Sequence, residues 1–282
     1  MTDDLLSYPV GKKGSGRVRY GAAMALYQAG QISAEVLDVY RELSAQDGRD
    51  PVSVLASRGL PVPGAAVSAA VDALLALVTE IDRYLATLPG DGPVEVRQGL
   101  ARWAGPVTGI VAKLNSVVAT HLPTALAALV TSHPALAFAI ADASAQMTWI
   151  TYDGYPRDHI GDAFATGHAY ALLVGESAPI PAQDFDLGLF LIAPHVLYRD
   201  HHHAAPELYA PLTGPHGWRF APNAPLEIKR AHESVWNPAN RPHLTKVGPV
   251  PFLCIYGWTR DTSSVAHVIP ADDWPALEAL RL

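Results

Sequence analysis

The sequence predicts an α+β chain: a helical N-terminal region over residues 1–145, then an antiparallel barrel or sandwich of short strands over 146–282. Three observations point there. Up to about residue 145, alanine, leucine and valine recur three and four residues apart, the spacing of an amphipathic helix. From Met147 onward that periodicity stops, and prolines, glycines and aromatics become frequent. Short apolar runs then sit between turn residues at regular intervals, as in antiparallel β architectures.

The elements follow in order. The stretch "GKKGSGR" from Gly11 lacks the spacing and the Ser or Thr of a phosphate loop, so it reads as a flexible arm. The run "RVRYGAAMALYQAG" is helical and stops at Gly30. "SAEVLDVYRELSAQ" is a second helix with Ser33 as its N-cap. The stretch "AAVSAAVDALLALVTEIDRYLATL" keeps its apolar stripe for several turns, and "VEVRQGLARWAG" and "VTGIVAKLNSVVATHL" continue the pattern, giving about six helices. "PTALAALVTSHPALAFAIA" is cut by Ser132, His133 and Pro134, which suits two packed helices and a turn better than a membrane span. "TYDGYPRDHIGDAF", with Tyr152, Tyr155, His159 and Asp162, reads as a loop into the first strand, with a lid over the mouth of the strand region as the lesser alternative. Strands are expected in "GHAYALLVG", "DLGLFLIAP", "ELYAPLTG", "GWRFAP", "VPFLCIYGW" and "SVAHVIP", and a closing helix in "DWPALEALRL".

Composition excludes several classes. The formal net charge of -7 has no basic concentration to mark a nucleic-acid surface. Cys254 is the single cysteine, so no intramolecular disulfide forms, and its apolar strand suggests a buried, inert thiol. "MTDDLLSYPV" lacks a basic segment followed by an apolar one, so no signal peptide is expected. A cytoplasmic protein without a membrane partner is the default.

The chemistry concentrates in "DHHHAAPELYAPLTG", from Asp200 to Gly214. On a strand, residues two apart point the same way, which pairs His201 with His203 and excludes His202. Glu207 and Tyr209 keep that parity. His243 follows the turn-rich "NPANRP" far along the chain. Two close histidines, a carboxylate and a distant histidine suit a divalent transition metal (Fe, Zn, Mn, Co or Ni) with positions left open for substrate. His195 and His232 are expected beside the site or at the surface, and His216 in a turn.

These residues resemble the cupin superfamily. His201, His203, Glu207 and Gly214 match its first motif, HxHxxxE followed after six residues by Gly. Pro238, Pro242 and His243 supply the second, without its usual glycine before the histidine or asparagine after it. "LFLIAPHVLYRDHHHAAPELYAPLTG" further resembles the dimethylsulfoniopropionate (DMSP) lyase family of cupins. That family has a tyrosine five residues before the second histidine (here Tyr198), one two residues after the glutamate (here Tyr209), and a late tryptophan (here Trp258). The resemblance covers roughly residues 185–261.

It implies a small jelly-roll barrel, His201, His203, Glu207 and His243 as metal ligands, and a small-molecule substrate. It also implies a β-elimination that splits DMSP into dimethyl sulfide and acrylate. The base would be Tyr209 or Tyr198. Strand alternation puts Tyr198 on the face opposite His201, so it reaches the site only through a bend or bulge. Trp258 and Tyr256 share a strand face with Cys254 and Phe252 and would receive the sulfonium, at roughly 0.5–2 kcal/mol per aromatic contact. The same ligand set also fits another metal-dependent cupin enzyme, a dioxygenase or isomerase, or a non-catalytic ligand-binding cupin. A homodimer is compatible with the helical half.

Overall fold

The computed structural model describes residues 5–6, 8–63, 65–108 and 110–282, apart from the side chains of 65–68. Residues 1–4 and 7, part of the stretch read for a leader, lie outside them. The chain divides into two compact units, Met1–Ala70 and Val71–Leu282. The change from helix to strand near residue 145 is present, but helices 71–144 belong to the same compact unit as the sheets.

In the first unit, α1 (Ser15–Gln28) stops where expected: Gly30 adopts a φ of 70°, and the Gln31 N–H returns to the Leu26 carbonyl. Helix α2 (Ala34–Glu42) is capped by Ser33, whose Oγ accepts the Val36 N–H. Asp50 caps α3 (Pro51–Ser57) in the same way. Val36, Leu37, Val39, Tyr40 and Leu55 form the core. The "GKKGSGR" stretch is no flexible arm. The Asp47 carboxylate accepts the N–H groups of Gly14 and Gly16 at 2.7 and 2.9 Å, which fixes the start of α1. A Cβ at Gly16 would lie 2.6 Å from the Leu43 carbonyl, so only glycine fits there.

In the second unit, α4 (Ala65–Leu85, from Val71), α5 (Asp91–Gly99), α6 (Ser116–Leu129) and α7 (Pro134–Ser144) precede the strands. The helix expected over residues 107–122 begins only at Ser116, where the Asn115 side chain caps it. The residues before it are diverted: Lys113 pairs its backbone with Met147 and Trp149. Gly109 lies outside the described residues. Short helices α8 (Arg157–Ile160) and α9 (Asp162–Thr166) occupy the expected loop. Eleven strands among the described residues form two sheets. One has the order β2 (Ile180–Pro181), β1 (His168–Gly175), β3 (Asp186–Ile192), β10 (Phe252–Trp258), β5 (Glu207–Pro211), β8 (Val235–Asn237). The other has β11 (His267–Val268), β4 (Leu197–His202), β9 (His243–Lys246), β6 (His216–Arg219), β7 (Glu227–Lys229). All strand pairs are antiparallel except the short β1–β2 contact. His216, expected in a turn, instead opens β6. Helix α10 (Trp274–Ala279) closes the chain.

The six-stranded sheet is buried on both faces. On one face Leu187, Leu189, Leu191, Leu208, Leu253 and Ile255 join a core with Leu74, Ile81, Leu122 and Ile140 of the helices. Helix α6 crosses β1, β3 and β10, and α5 lies along β5 and β8. The other face carries Phe190, Tyr209, Phe252 and Cys254, which pack with Tyr198 and Trp218 of the second sheet. Among the described residues no helix is long and apolar enough to cross a membrane.

Candidate metal centre and its cavity

The site is built where the two sheets face each other. His201 lies on β4 and pairs with His243 on β9. His203 follows the end of β4, and Glu207 opens β5. One ring nitrogen from each histidine lies within 4.8 Å of those of the other two, and all three side chains are buried. Each Nδ1 faces a backbone carbonyl: His201 that of Arg199 at 2.8 Å, His203 that of Ala205 at 2.8 Å, His243 that of Arg241 at 2.9 Å. A neutral ring that donates from Nδ1 leaves a lone pair on Nε2. This outer hydrogen bond commonly orients a metal-ligating histidine.

The Nε2 atoms of His201 and His243 are buried with no hydrogen-bond partner. Such atoms are costly unless something satisfies them. His203 Nε2 lies 3.1 Å from Glu207 Oε2 in a hydrogen bond, and His243 Nε2 lies 3.2 Å from the same oxygen without hydrogen-bond alignment. Three convergent imidazole nitrogens beside one carboxylate fit a divalent transition metal. Burial, reinforced by the neighbouring His243 and His203, drives the His201 pKa far below its ordinary value. Glu207 is deeply buried, which raises a carboxyl pKa, but His203 and His243 outweigh this and hold it ionised. His201 and Glu207 are therefore in the protonation states a cation requires, while the Glu207 carboxylate raises the pKa of His203, whose proton a bound cation would displace.

The expected bend at "YRD" is present. Between Tyr198 and His201 the β4–β9 register shifts by one residue, a β-bulge. Tyr198 consequently stacks on His201, with ring centroids 3.9 Å apart. Asp200 is also buried: Arg219 clasps both its oxygens, and Trp274 Nε1 donates to it at 2.7 Å. Trp258 Nε1 donates to Glu207 Oε1 at 2.9 Å, and its ring lies 4.5 Å from that of His203. His202 points away from the triad toward His267.

A cavity of about 260 Å³ opens beside the histidines. His203, Glu207, Tyr198, Tyr209, Tyr256 and Trp258 line it. Tyr152, Tyr155, Phe164, His168, Tyr170, Asp186 and Phe190 line it too; of these the sequence offered only Tyr152 and Tyr155, in a stretch whose lesser reading was a lid over the barrel mouth. The loop that holds Tyr152 and Tyr155 therefore forms part of the wall, while His159 and Asp162 are exposed. The clustering of aromatics in residues 149–170 was the available signal. Tyr155 Oη and Tyr198 Oη share a hydrogen bond of 2.8 Å. Tyr209 Oη stands beside the Glu207 carboxylate. Burial pushes the phenols of Tyr198 and Tyr209 well above their ordinary value of 10, reinforced by Tyr155 and then Tyr209 at Tyr198, and by the Glu207 carboxylate at Tyr209. Burial also raises the thiol of Cys254 and keeps it inert. His195, half-buried, and His232 lie off the cavity; His232 accepts or donates at Tyr84 Oη, 3.0 Å away.

Two facing antiparallel sheets with inward histidines and a carboxylate define a cupin. The more particular assignment follows from comparison: the DMSP lyase family model matches residues 111–254, just over half the chain. The chain belongs to that family. No curated protein matches it. A crystal structure reported for the DMSP lyases RdDddP and RnDddQII is similar over 71% of this chain and 98% of that one, at 20% identity and a TM-score of 0.58. DMSP lyase DddQ from Ruegeria pomeroyi DSS-3 is similar over the same shares, at 22% identity and a TM-score of 0.49. A cupin-like protein from Thermotoga maritima covers 37% of this chain and 77% of its own, at 15% identity and a TM-score of 0.32.

Proposed function

We propose that this protein is a metal-dependent carbon–sulfur lyase that splits DMSP into dimethyl sulfide and acrylate. The observation that carries the reading is the triad of buried histidines, with two Nε2 atoms unpartnered, behind a small aromatic cavity that His203 and Glu207 line. Family membership supports this choice of reaction. His201, His203, His243 and Glu207 would hold a divalent metal. When bound, that ion supplies positive charge that draws electron density from a substrate carboxylate and lowers the proton affinity of a nearby phenol.

The chain's own residues do the rest. Tyr209 as its phenolate takes the proton from the carbon beside the carboxylate. The electron pair forms the new double bond, the bond to sulfur breaks, and dimethyl sulfide leaves neutral. We favour Tyr209 over Tyr198 because it lines the cavity next to Glu207, whereas the hydroxyl of Tyr198 is tied to Tyr155. A phenol so buried needs the cation to ionise near neutral pH. Trp258 holds Glu207 in place, and with Tyr256 it presents aromatic surface to the sulfonium. The cavity is small by ligand-site standards, which suits a substrate of few heavy atoms.

The test is to load purified protein with each candidate metal, add DMSP, and measure released dimethyl sulfide. Release that falls at least about a hundredfold in Tyr209→Phe, a general-base loss, and less in Tyr198→Phe, is expected. No release above the Tyr209→Phe background with any metal sinks the reading. Oxygen uptake in its place would point to a dioxygenase.

A further inference from the structure

The cavity has two carboxylates in its wall, and they differ in condition. Strand register sets Asp186 opposite Trp258, and Trp258 opposite Glu207. Directly paired residues point to the same face, so all three form one row facing the cavity. Glu207 is committed: one oxygen accepts from Trp258 and the other from His203. Asp186 makes no hydrogen bond and no ion pair with another described side chain, and no Lys or Arg among the described residues lines the cavity. It is half-buried, and burial, with Glu176 and Asp184 adding to it, holds its carboxyl up at about 6. An uncompensated carboxylate in a partly desolvated wall calls for a cation.

The surroundings suit a diffuse one. Tyr170 and Tyr256 line the same part of the cavity, with their rings edge to face at 6.4 Å. Gly188 makes room for this: a Cβ there would lie 2.8 Å from the Tyr256 ring. Neighbouring strands are roughly 4.8 Å apart, so Asp186 and Glu207, two strands distant, stand about 10 Å apart at the backbone. That spacing lets one short molecule present a carboxylate to the histidines and a positive group to Asp186.

We propose that Asp186 is the charge-selecting residue of the site, holding the positively charged onium end of a zwitterionic carboxylate while the histidine end takes its carboxylate. This rests on the lyase reading for the identity of the substrate. The site then rejects carboxylates of equal shape whose far end is uncharged.

The experiment uses two uncleaved isosteric carboxylate probes, zwitterionic 3-(trimethylammonio)propanoate and 4,4-dimethylpentanoate, whose far end is uncharged, bound to metal-loaded protein in a calorimeter. Wild type should prefer the onium probe by at least about tenfold, the scale of one partly desolvated charge pair. Asp186→Asn should erase that preference, and Asp186→Glu should keep it. Asp186→Ser replaces the Asn variant if thermal melting shows the latter unfolded. Equal affinities in wild type, or a preference intact in Asp186→Asn, overturn the proposal. Dimethyl sulfide release from the same samples reports on the lyase reading separately, so binding selectivity without turnover refutes that reading and leaves Asp186 its role.

Discussion

The two faces of strands β3 and β10 are made from alternate residues of the same segments, yet they do opposite work. Leu187, Leu189, Leu191, Leu253 and Ile255 face the helices and are fully buried in an aliphatic core. Asp186, Phe190, Cys254, Tyr256 and Trp258 face the cavity side. One face contributes stability through apolar burial, the other carries polar atoms that cost free energy unless a ligand satisfies them. The same period of two thus separates folding from chemistry within single strands, and damage to the two faces should have different signatures.

The largest effect is expected on the inner side. His243→Ala removes one of three convergent imidazoles, so metal content should collapse and turnover fall about a thousandfold or more, near 4 kcal/mol of lost transition-state stabilisation. Elemental analysis and sulfide release measure both, and full metal occupancy in the variant would contradict the site. Its counterpart on the outer face, Ile255→Ala, should destabilise folding by about 2–5 kcal/mol with unchanged turnover per folded molecule. Urea unfolding alongside activity on titrated sites distinguishes the two.

Acid sharpens the contrast next. His168 Nε2 accepts the Tyr152 N–H and His216 Nδ1 accepts the Gly248 N–H, so both rings are held neutral. Burial depresses each pKa to about 4 from an ordinary 6.5. The unfolded chain binds these protons first, so stability should be flat above about pH 6.5 and fall as pH drops toward 4. The loss approaches roughly 3 kcal/mol per histidine at the acid limit. The aliphatic face contributes no such slope, and unfolding curves with equal midpoints across that range would contradict the assignment. The smallest effect is expected for Trp258→Phe. It keeps the aromatic surface but frees Glu207 Oε1, and metal affinity should weaken about 10–100-fold by competition with a chelator. An unchanged affinity would make the tryptophan a packing residue only.

Much of this was legible in the sequence, for identifiable reasons. Period-two alternation selected His201, His203, Glu207 and Tyr209 and set His202 aside, and the structure brings the first three together with His243. The need for a bulge at "YRD" could be stated because Tyr198 violated that parity. Other features depended on long-range pairing that no local pattern encodes. Asp186 looks like an ordinary strand start until its register with Trp258 is known. Tyr155 looks like a loop residue until its hydroxyl meets Tyr198. The helix expected from Val107 failed because Lys113 finds a backbone partner at Met147, far along the chain. The "GKKGSGR" stretch looked mobile because its anchor, Asp47, lies 33 residues beyond Gly14 in sequence.

The bulge in β4 has one more consequence. It leaves Asp200 on the face opposite His201, where it ties the histidine strand to Arg219, and through Arg219 and Trp274 to the last helix, where Asp273 receives Arg219 Nη1 at 2.5 Å. The last helix is thus a keystone for the ligand strand. Clipping or crowding the C-terminus should be felt as a slackened metal grip, although nothing beyond Val268 comes near the histidines in sequence.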